Sequence, residues 1–205
     1  MLIELTLKDF LDKTVGSEPV PGGGSISALN AALSGALAGM VANLTVGKKK
    51  YADKEALMRE IAAGATDFMC GFAADIDADS DAYDAVFKAF KLPKETADEQ
   101  ISRSRQIQEA TKIATEVPLN VARKALIMMD LIEQVAEHGN QNAITDACVA
   151  MMCARTAVLG AALNVKINLA GINDKEYASK TAQEVSDLET AAKEREENLL
   201  KKISL

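Results

Sequence analysis

A proline- and glycine-rich stretch, Pro19-Val20-Pro21-Gly22-Gly23-Gly24-Ser25, runs directly into the alanine-rich segment Ile26 to Leu33. Proline favours an extended approach, glycine permits backbone angles that other residues cannot reach, and alanine is the strongest helix former. The order therefore predicts that the glycines lie at a helix N-terminus. Free N–H groups there can receive an anion or the polar edge of a ligand at close range. The alternative is a plain loop with Ser25 as the N-cap.

The glycines match neither of two common nucleotide-binding motifs. No Gly-Lys-Ser/Thr follows them, so the stretch is not a Walker loop. The glycines are contiguous and no strand-like run precedes them, so it is not a Rossmann fingerprint either.

The helix that begins here is predicted to span Ser25 to Val46 and to be buried on nearly every side. It carries no charge from Ile26 to Val46, which raises the alternative of a membrane span. Its apolar residues are mainly alanine and polar residues recur, which favours the central helix of a bundle and no membrane. Gly47 ends the helix, and Lys48-Lys49-Lys50 follows where cations suit the helix dipole. These lysines are either a solvated cap or a local basic patch.

The composition is typical of an all-α protein. The 205 residues include four prolines, no tryptophan and only 4% aromatic residues, and no strand pattern appears. This length supports one sizeable core. We expect a single domain over residues 1–205, an orthogonal helical bundle with a central buried Ala/Gly-rich helix. The net charge of −7 argues against a nucleic-acid partner.

Cysteine and histidine usage argues against disulfides and metal sites. Cys70, Cys148 and Cys153 are odd in number and lack zinc-finger spacing, so we interpret them as small core residues in a reducing compartment. His138 is the only histidine, which excludes a multi-histidine metal site within one chain. The acidic N-terminus has no basic region before an apolar run, so no signal peptide is expected. The prediction is a cytoplasmic protein without a metal ion.

The remaining helices follow from caps and breakers. They are a short helix from the N-cap Thr6 to about Gly16, a long one from Lys54 to Phe90, one from near Thr96 that Pro118 breaks or restarts, the next ending at His138, one from Asn142 or Thr145 through Leu163 to Asn168, and a charged outer helix from Asp174 to Leu205.

The long helix contains five carboxylates within ten residues, from Asp75 to Asp84. Helical spacing places Asp75, Asp79 and Tyr83 on one face with core-facing residues such as Phe72. A carboxylate at the edge of an apolar stripe has a raised pKa and can transfer protons near neutral pH. The run lacks the glycine and closing glutamate of a calcium loop. The alternative is an exposed acidic face.

Together the motifs resemble the cyclodeaminase half of formimidoyltransferase-cyclodeaminase and its stand-alone bacterial relatives, the formiminotetrahydrofolate cyclodeaminase / methenyltetrahydrofolate cyclohydrolase family. No single motif is specific, but the ordered set spans nearly the whole chain. It consists of Pro21-Gly22-Gly23-Gly24-Ser25, Met40-Val41 to Gly47-Lys48-Lys49-Lys50-Tyr51, Asp77-Ala78-Asp79-x-Asp81-Ala82-Tyr83, Leu92-Pro93-Lys94, Arg103, Val117-Pro118-Leu119, Gly139-Asn140 leading to Thr145-Asp146, and Asn164-Val165-x-Ile167-Asn168.

The resemblance implies a homodimer with a folate site lined by several helices and Asp79 as the catalytic carboxylate. Thr145 stands where the family more often has serine, which keeps the hydroxyl. A transferase domain is missing, so we expect another protein to load the formimino group. The substrate-binding residues implied are Gly22, Gly23, Gly24, Ser25, Lys48, Lys49, Lys50, Tyr83, Arg103, Asn140, Thr145, Asp146, Asn164 and Asn168.

The reaction implied is that of a cyclodeaminase, in which N10 of tetrahydrofolate attacks the N5-formimino carbon and ammonia leaves. One partly buried carboxylate can take the N10 proton and deliver one to the departing amine, and we assign this role to Asp79. Lys48, Lys49 and Lys50 are expected to meet the glutamate tail of the folate. A cyclohydrolase between 5,10-methenyl- and 10-formyltetrahydrofolate and a non-catalytic folate-binding protein are the alternatives. No cofactor is expected beyond the tetrahydrofolate substrate.

Overall fold

The computed structural model describes residues 1–203, which form six α-helices and three short 3-10 helices and contain no strand. The α-helices are α1 (Leu7–Thr14), α2 (Gly23–Asn43), α3 (Glu55–Phe90), α4 (Ala97–His138), α5 (Ile144–Leu169) and α6 (Lys175–Lys202). The 3-10 helices span Leu2–Glu4, Lys49–Lys54 and Gln141–Ala143.

The α2 and α5 helices are the central pair of the bundle and run antiparallel. The start of α2 meets the end of α5, where Gly23 approaches Asn164. At the other end, the Asn140 side chain just before α5 donates to the Leu44 carbonyl just after α2. The α4 helix packs against both, α3 covers α2, and α6 covers α5. The predicted all-α bundle around a central Ala/Gly-rich helix is confirmed, but α2 is not buried on nearly every side, because Leu33 and Met40 are exposed.

Small side chains allow α2 and α5 to approach each other closely. The buried core at their contact is largely alanine, including Ala28, Ala31, Ala154 and Ala161. A Cβ placed on Gly160 of α5 would lie only 2.4 Å from the Ser27 hydroxyl of α2. In this core, many close contacts between small side chains supply the packing that large aromatic side chains supply in other proteins.

Two segments are long and apolar enough to cross a membrane by length and composition. They are Gly23–Asn43, with a mean hydropathy of 1.5, and Gln141–Leu169, with 1.6. In the most apolar 18-residue stretch of these two segments, 61% and 50% of the residues, respectively, are buried inside the protein. Core helices of soluble proteins pass the same test, so this is weak evidence for a membrane span.

The predicted break at Pro118 is wrong, because α4 is one helix of 42 residues that contains this proline. Proline lacks the N–H that would bond to the carbonyl of Ala114, four residues earlier. The side-chain amide of Asn168 on α5 donates to that carbonyl instead, at 2.8 Å. A neighbouring helix therefore satisfies the group that the proline frees, and the helix continues.

The other predicted boundaries differ from the structure in smaller ways. Gly22, rather than Ser25, is the N-cap of α2, so the glycines do lie at its N-terminus. After Asn43 the chain turns to Gly47, whose φ of 75° favours glycine. Cys148 is buried as predicted, whereas Cys153 is half-buried and Cys70 is exposed. The outer helix ends at Lys202, and the last two residues of its predicted range lie outside the described part of the chain.

Candidate active site

A cleft of about 330 Å³ lies at the N-terminal end of α2, between α3, α4 and the end of α5. It brings together Asp79, Tyr83 and the two asparagines of α5 with the glycine stretch. No basic side chain lines it in the part of the chain that the structure describes. The lining residues are Pro19, Val20, Gly22, Gly23, Gly24, Asp79, Tyr83, Val86, Ala114, Asn164, Ile167 and Asn168.

The carboxylate of Asp79 rests directly on the first turn of α2. A Cβ placed on Gly24 would lie 1.9 Å from Asp79 Oδ1, so only glycine leaves room for this contact. No side chain of α2 itself caps the helix. Asp79 reaches across from α3 and accepts a hydrogen bond from the Ser25 hydroxyl at 3.1 Å, with its carboxylate also under the influence of the Ser25 backbone N–H. A carboxylate suits this position because the helix N-terminus is electropositive.

Burial raises the pKa of the Asp79 carboxyl above the ordinary aspartate value, and the hydroxyl and backbone N–H of Ser25 oppose that rise. Removal from water disfavours the charged form, whereas donors aimed at the carboxylate favour it. Burial is the larger of the two effects here. An aspartate with a raised pKa that lines an open cleft is suited to take up and return a proton.

Ser25 is fully buried and can serve both protonation states of Asp79. Its hydroxyl lies 3.1 Å from Asp79 Oδ2 and 3.0 Å from the backbone carbonyl of Ile76. When Asp79 is ionised, the hydroxyl donates to the carboxylate. When Asp79 is protonated, the hydroxyl can donate to Ile76 and accept from the carboxyl O–H. Ser25 therefore positions Asp79.

Replacing Ser25 with alanine is expected to move the acidic limb of the pH profile of kcat/KM to higher pH. The hydroxyl favours the ionised carboxylate, so its loss raises the pKa of Asp79 further. Ser27→Ala is the matched control. The Ser27 hydroxyl donates to the Gly23 carbonyl at 2.6 Å instead of to Asp79, so its loss should leave the pH profile unchanged. Measuring kcat/KM from pH 5 to 9 checks this expectation. An unshifted limb in Ser25→Ala would show that the hydroxyl does not control the titration.

The two asparagines of α5 present oxygens to the cleft. Asn168 uses its Nδ2 to hold the Ala114 carbonyl, and Asn164 uses its Nδ2 to bond the Gly160 carbonyl at 2.8 Å. Nothing within residues 1–203 donates to the Oδ1 of either side chain. Both amides are thus fixed with a free acceptor, which suits a ligand edge rich in N–H groups.

Tyr83 forms an aromatic platform at the mouth of the cleft. It is 41% exposed. Its ring stacks on Phe87, with centroids 6.4 Å apart and an interplanar angle of 13°. An exposed aromatic face beside a polar cleft favours stacking with a flat ring.

The other carboxylates of the acidic run have different positions. Asp77 accepts the backbone N–H of Leu2 at 2.5 Å and so holds the N-terminal segment. Asp75 pairs with Lys124 of α4. Asp81 and Asp84 are exposed. Among these five side chains, only Asp79 lines the cleft.

Several sequence-predicted site residues lie at the opposite end of the bundle. The α2 helix has 21 residues and at 1.5 Å per residue measures about 30 Å. The end with Asp79 and the glycines is called the cleft end, and the opposite one the lysine end. The lysine end carries Lys48, Lys49, Lys50, Asn140, Thr145 and Asp146.

Arg103 lies outside the cleft as well. Its guanidinium donates to the Phe90 carbonyl, with Nη2 at 3.0 Å, and lies over the Phe90 ring. Arg103 precedes Ala114 by 11 residues on α4, which places it about 16 Å along the helix from the cleft.

Sequence reasoning missed two backbone carbonyls that organise the cleft, those of Ile76 and Ala114. Only the second had a signal in the sequence. A proline inside an otherwise helical pattern frees the carbonyl four residues before it, and an asparagine elsewhere is a natural donor to it.

A larger hollow, of about 670 Å³, lies between the ends of α4 and α6 and is a poorer candidate. Glu133, Glu137 and Lys202 line it, so its side chains carry a net negative charge that disfavours an anionic ligand. It contains none of the residues that the sequence predicts for a site. Within residues 1–203, no three His, Cys, Asp or Glu side chains are grouped so that they could hold a metal ion.

The cleft defines the class of site. The cleft contains a largely buried aspartate at a helix N-terminus, two oriented amide oxygens and an exposed aromatic ring. This combination suits acid–base chemistry on a flat, polar ligand. The family model described as Formiminotransferase-cyclodeaminase matches residues 6–187. The chain belongs to this family, which confirms the resemblance drawn from its motifs.

Individual relatives agree with the assignment to this family. The chain is 42% identical over 186 residues to a methenyltetrahydrofolate cyclohydrolase of Methylorubrum extorquens, covering 89% of this chain and 88% of that protein. It is 34% identical over 193 residues to the formimidoyltransferase-cyclodeaminase of Gallus gallus, covering 94% of this chain but only 36% of that longer protein.

The fold agrees with a solved structure. The crystal structure of a formiminotetrahydrofolate cyclodeaminase from Thermotoga maritima superimposes with a TM-score of 0.87 at 29% sequence identity. The match covers 98% of this chain and 96% of that one. The likeness therefore extends over the whole bundle.

Proposed function

We propose that the protein is a folate one-carbon enzyme that closes or opens the carbon bridge between N5 and N10 of tetrahydrofolate. The observation that carries the proposal is the position of Asp79, a desolvated carboxylate in the cleft, in contact with Gly24 and hydrogen-bonded to Ser25. Such a group can act first as base and then as acid in one reaction. The two relatives described above carry names of enzymes for both directions of this chemistry.

In the cyclodeaminase reaction, Asp79 takes the proton of N10 as that nitrogen attacks the N5-formimino carbon. The bond from this carbon to the departing amine then breaks, and Asp79 gives its proton to the ammonia that leaves. The product is 5,10-methenyltetrahydrofolate. The oxygens of Asn164 and Asn168 are placed to accept hydrogen bonds from the N–H groups of the pterin.

Methenyltetrahydrofolate cyclohydrolase is a second candidate, supported by the 42% identity to a stand-alone protein of that name. Here Asp79 takes a proton from the water that attacks the bridging carbon. The bond from this carbon to N5 breaks, Asp79 returns the proton to N5, and the new hydroxyl loses its proton to solvent, so that 10-formyltetrahydrofolate forms. The cleft needs no additional group, because water replaces the amine.

One assay separates the candidates. 5,10-Methenyltetrahydrofolate absorbs in the near ultraviolet, so the purified protein should raise this absorbance from 5-formiminotetrahydrofolate as a cyclodeaminase or lower it from the methenyl compound as a cyclohydrolase. Ammonia release accompanies only the first reaction. Folate binding without either change would favour the non-catalytic alternative, and no binding would contradict the proposal.

A homodimer is part of the proposal. The central helices expose large apolar side chains, among them Leu33 at 47% and Leu163 at 64%. A contiguous apolar surface of this kind usually marks an interface. Light scattering at micromolar concentration is expected to give twice the chain mass of 21.8 kDa. A monomer mass would contradict this expectation.

A further inference from the structure

The exposed sides of α2 and α5 form one continuous apolar surface, here called the α2/α5 face. Because α4 packs behind both helices, their uncovered sides point the same way. The exposure of the large side chains on this face ranges from 38% for Met40 to 73% for Ile167, and none of them is charged. They are Leu33 and Met40 on α2, Leu44 directly after α2, and Val149, Met152, Leu163 and Ile167 on α5.

The α2/α5 face connects the two ends of the bundle. At the cleft end, Ile167 belongs both to this face and to the lining of the cleft. At the lysine end, the face finishes at Leu44 and Val149, close to Lys48 and Thr145. A partner that covers the whole face must therefore reach both the cleft and the lysines.

The lysine end is held in place by hydrogen bonds between its segments, and its three lysines are exposed. The Tyr51 hydroxyl accepts the Gln141 backbone N–H at 3.1 Å, and the Thr45 hydroxyl accepts that of Asn140 at 2.8 Å. Lys48, Lys49 and Lys50 are exposed, and within residues 1–203 none of them forms an ion pair, whereas the nearby Lys54 pairs with Asp53.

The cleft lacks the basic side chains that the lysine end carries. A folate carries a glutamate tail with at least two carboxylates, yet no basic side chain of the described chain lines the cleft. The lysines of the same chain are separated from it by the length of α2, about 30 Å. One glutamate on the para-aminobenzoyl group is far too short to span that length.

Two copies can bury the α2/α5 face by a two-fold axis in two ways. An axis along the helices would place both lysine ends together, with six lysines close to one another. An axis across the helices, near the midpoint of α2 at Leu33, makes the helices of the two copies antiparallel. Each lysine end then lies beside the other copy's cleft and far from the other lysine end, so the two lysine runs do not repel each other and charge favours this arrangement.

We propose that two copies pair antiparallel through the α2/α5 face and that the partner's Lys48, Lys49 and Lys50 complete each cleft by binding the glutamate tail. The inference rests on the folate activity proposed above and adds that the site is shared between chains. The pterin and the reacting carbon lie against Asp79 of one chain, and the tail carboxylates meet the cations of the other. The partner's Asn140 and the partner's Thr145 then lie beside the same cleft.

Mixing two variants, each expected to be strongly impaired on polyglutamylated substrate below its KM, tests whether the site is shared. One is Asp79→Asn and the other is Lys48→Ala/Lys49→Ala/Lys50→Ala, each expressed with a different affinity tag. In a mixed dimer, one cleft keeps both its own aspartate and the partner's lysines. Random pairing should therefore restore about a quarter of wild-type activity on polyglutamylated substrate, and tandem-tag purification should raise this to about half.

The other outcomes are also decisive. Mixed dimers without restored activity would overturn the inference, because the lysines would then act in their own chain. Unchanged KM and kcat in the lysine variant would also overturn it. Wild-type protein without folate activity would instead contradict the proposed function.

The pairing itself has a test that needs no activity. Leu33→Glu places a charge at the centre of the α2/α5 face and is expected to give monomers at micromolar concentration with unchanged helical circular dichroism. Ile101→Glu is the matched control, since Ile101 is 69% exposed on α4, away from this face, and its variant should remain a dimer. Met152→Glu on α5 should repeat the effect of Leu33→Glu. Dimers that survive both substitutions on the face would overturn the pairing.

Discussion

Asp79→Asn is expected to lower kcat by about two to four orders of magnitude while folate still binds. Asparagine keeps the shape of the side chain and can still accept the hydrogen bond from the Ser25 hydroxyl, but it does not titrate between pH 5 and 9. The proton that N10 or water must lose then has no acceptor in the cleft. Single-turnover kinetics and equilibrium folate binding measure the two effects separately.

The same substitution is expected to raise the melting temperature near neutral pH. Burial raises the pKa of Asp79, so the ionised carboxylate opposes folding, and the neutral amide removes this cost. A raised native pKa means that the wild type gains stability as the pH falls through that pKa. The difference in melting temperature between variant and wild type should therefore shrink on acidification toward the ordinary aspartate value of 3.8.

Asp84→Asn is the matched control, because Asp84 is exposed on the same helix and does not line the cleft. Its kcat, KM and melting temperature should stay close to those of the wild type. Wild-type turnover in Asp79→Asn would show that another group transfers the proton. Asp81 and Asp146, the other carboxylates considered from the sequence, would then be the next positions to test.

Most of the fold could be predicted from local signals. Thr96 predicts the start of α4, and the structure contains the full capping box with Glu99. The long charge-free run after the glycines predicted the central helix. The continuity of α4 through Pro118 could not be predicted, because it depends on a hydrogen bond from Asn168 that only the packed bundle brings into reach. Local rules describe what a proline removes, not what a neighbouring helix restores.

The candidate site was predictable in its chemistry but not in its placement. Helical spacing put Asp79 and Tyr83 on one face, and both line the cleft. The same sequence reasoning grouped Lys48 and Asn140 with them, although α2 places these residues at its other end. A motif gives residue types in order along the chain. It does not say which end of a long helix each motif reaches, nor whether two motifs meet within one chain or between two.

Gly24→Ala is expected to lower kcat by about as much as Asp79→Asn, by two to four orders of magnitude, although it removes no functional group. The new Cβ would lie 1.9 Å from Asp79 Oδ1. The carboxylate is the end of a movable side chain, so it should swing away while the helix stays intact. Asp79 then leaves both its buried position and the Ser25 donors. Because burial is the larger effect on its pKa, the acidic limb of any residual activity should move to lower pH.

Two comparisons separate this displacement from general damage. Gly71→Ala is the matched control, since a Cβ there meets no atom within 4 Å. It should leave turnover unchanged and stabilise α3 by about 0.5–1 kcal/mol, the usual gain for alanine over glycine in a helix. The double variant Gly24→Ala/Asp79→Asn should be no slower than either single variant, because both changes remove the same carboxylate from the same place. Additive losses would mean that Gly24 serves the reaction in some way other than by making room for Asp79.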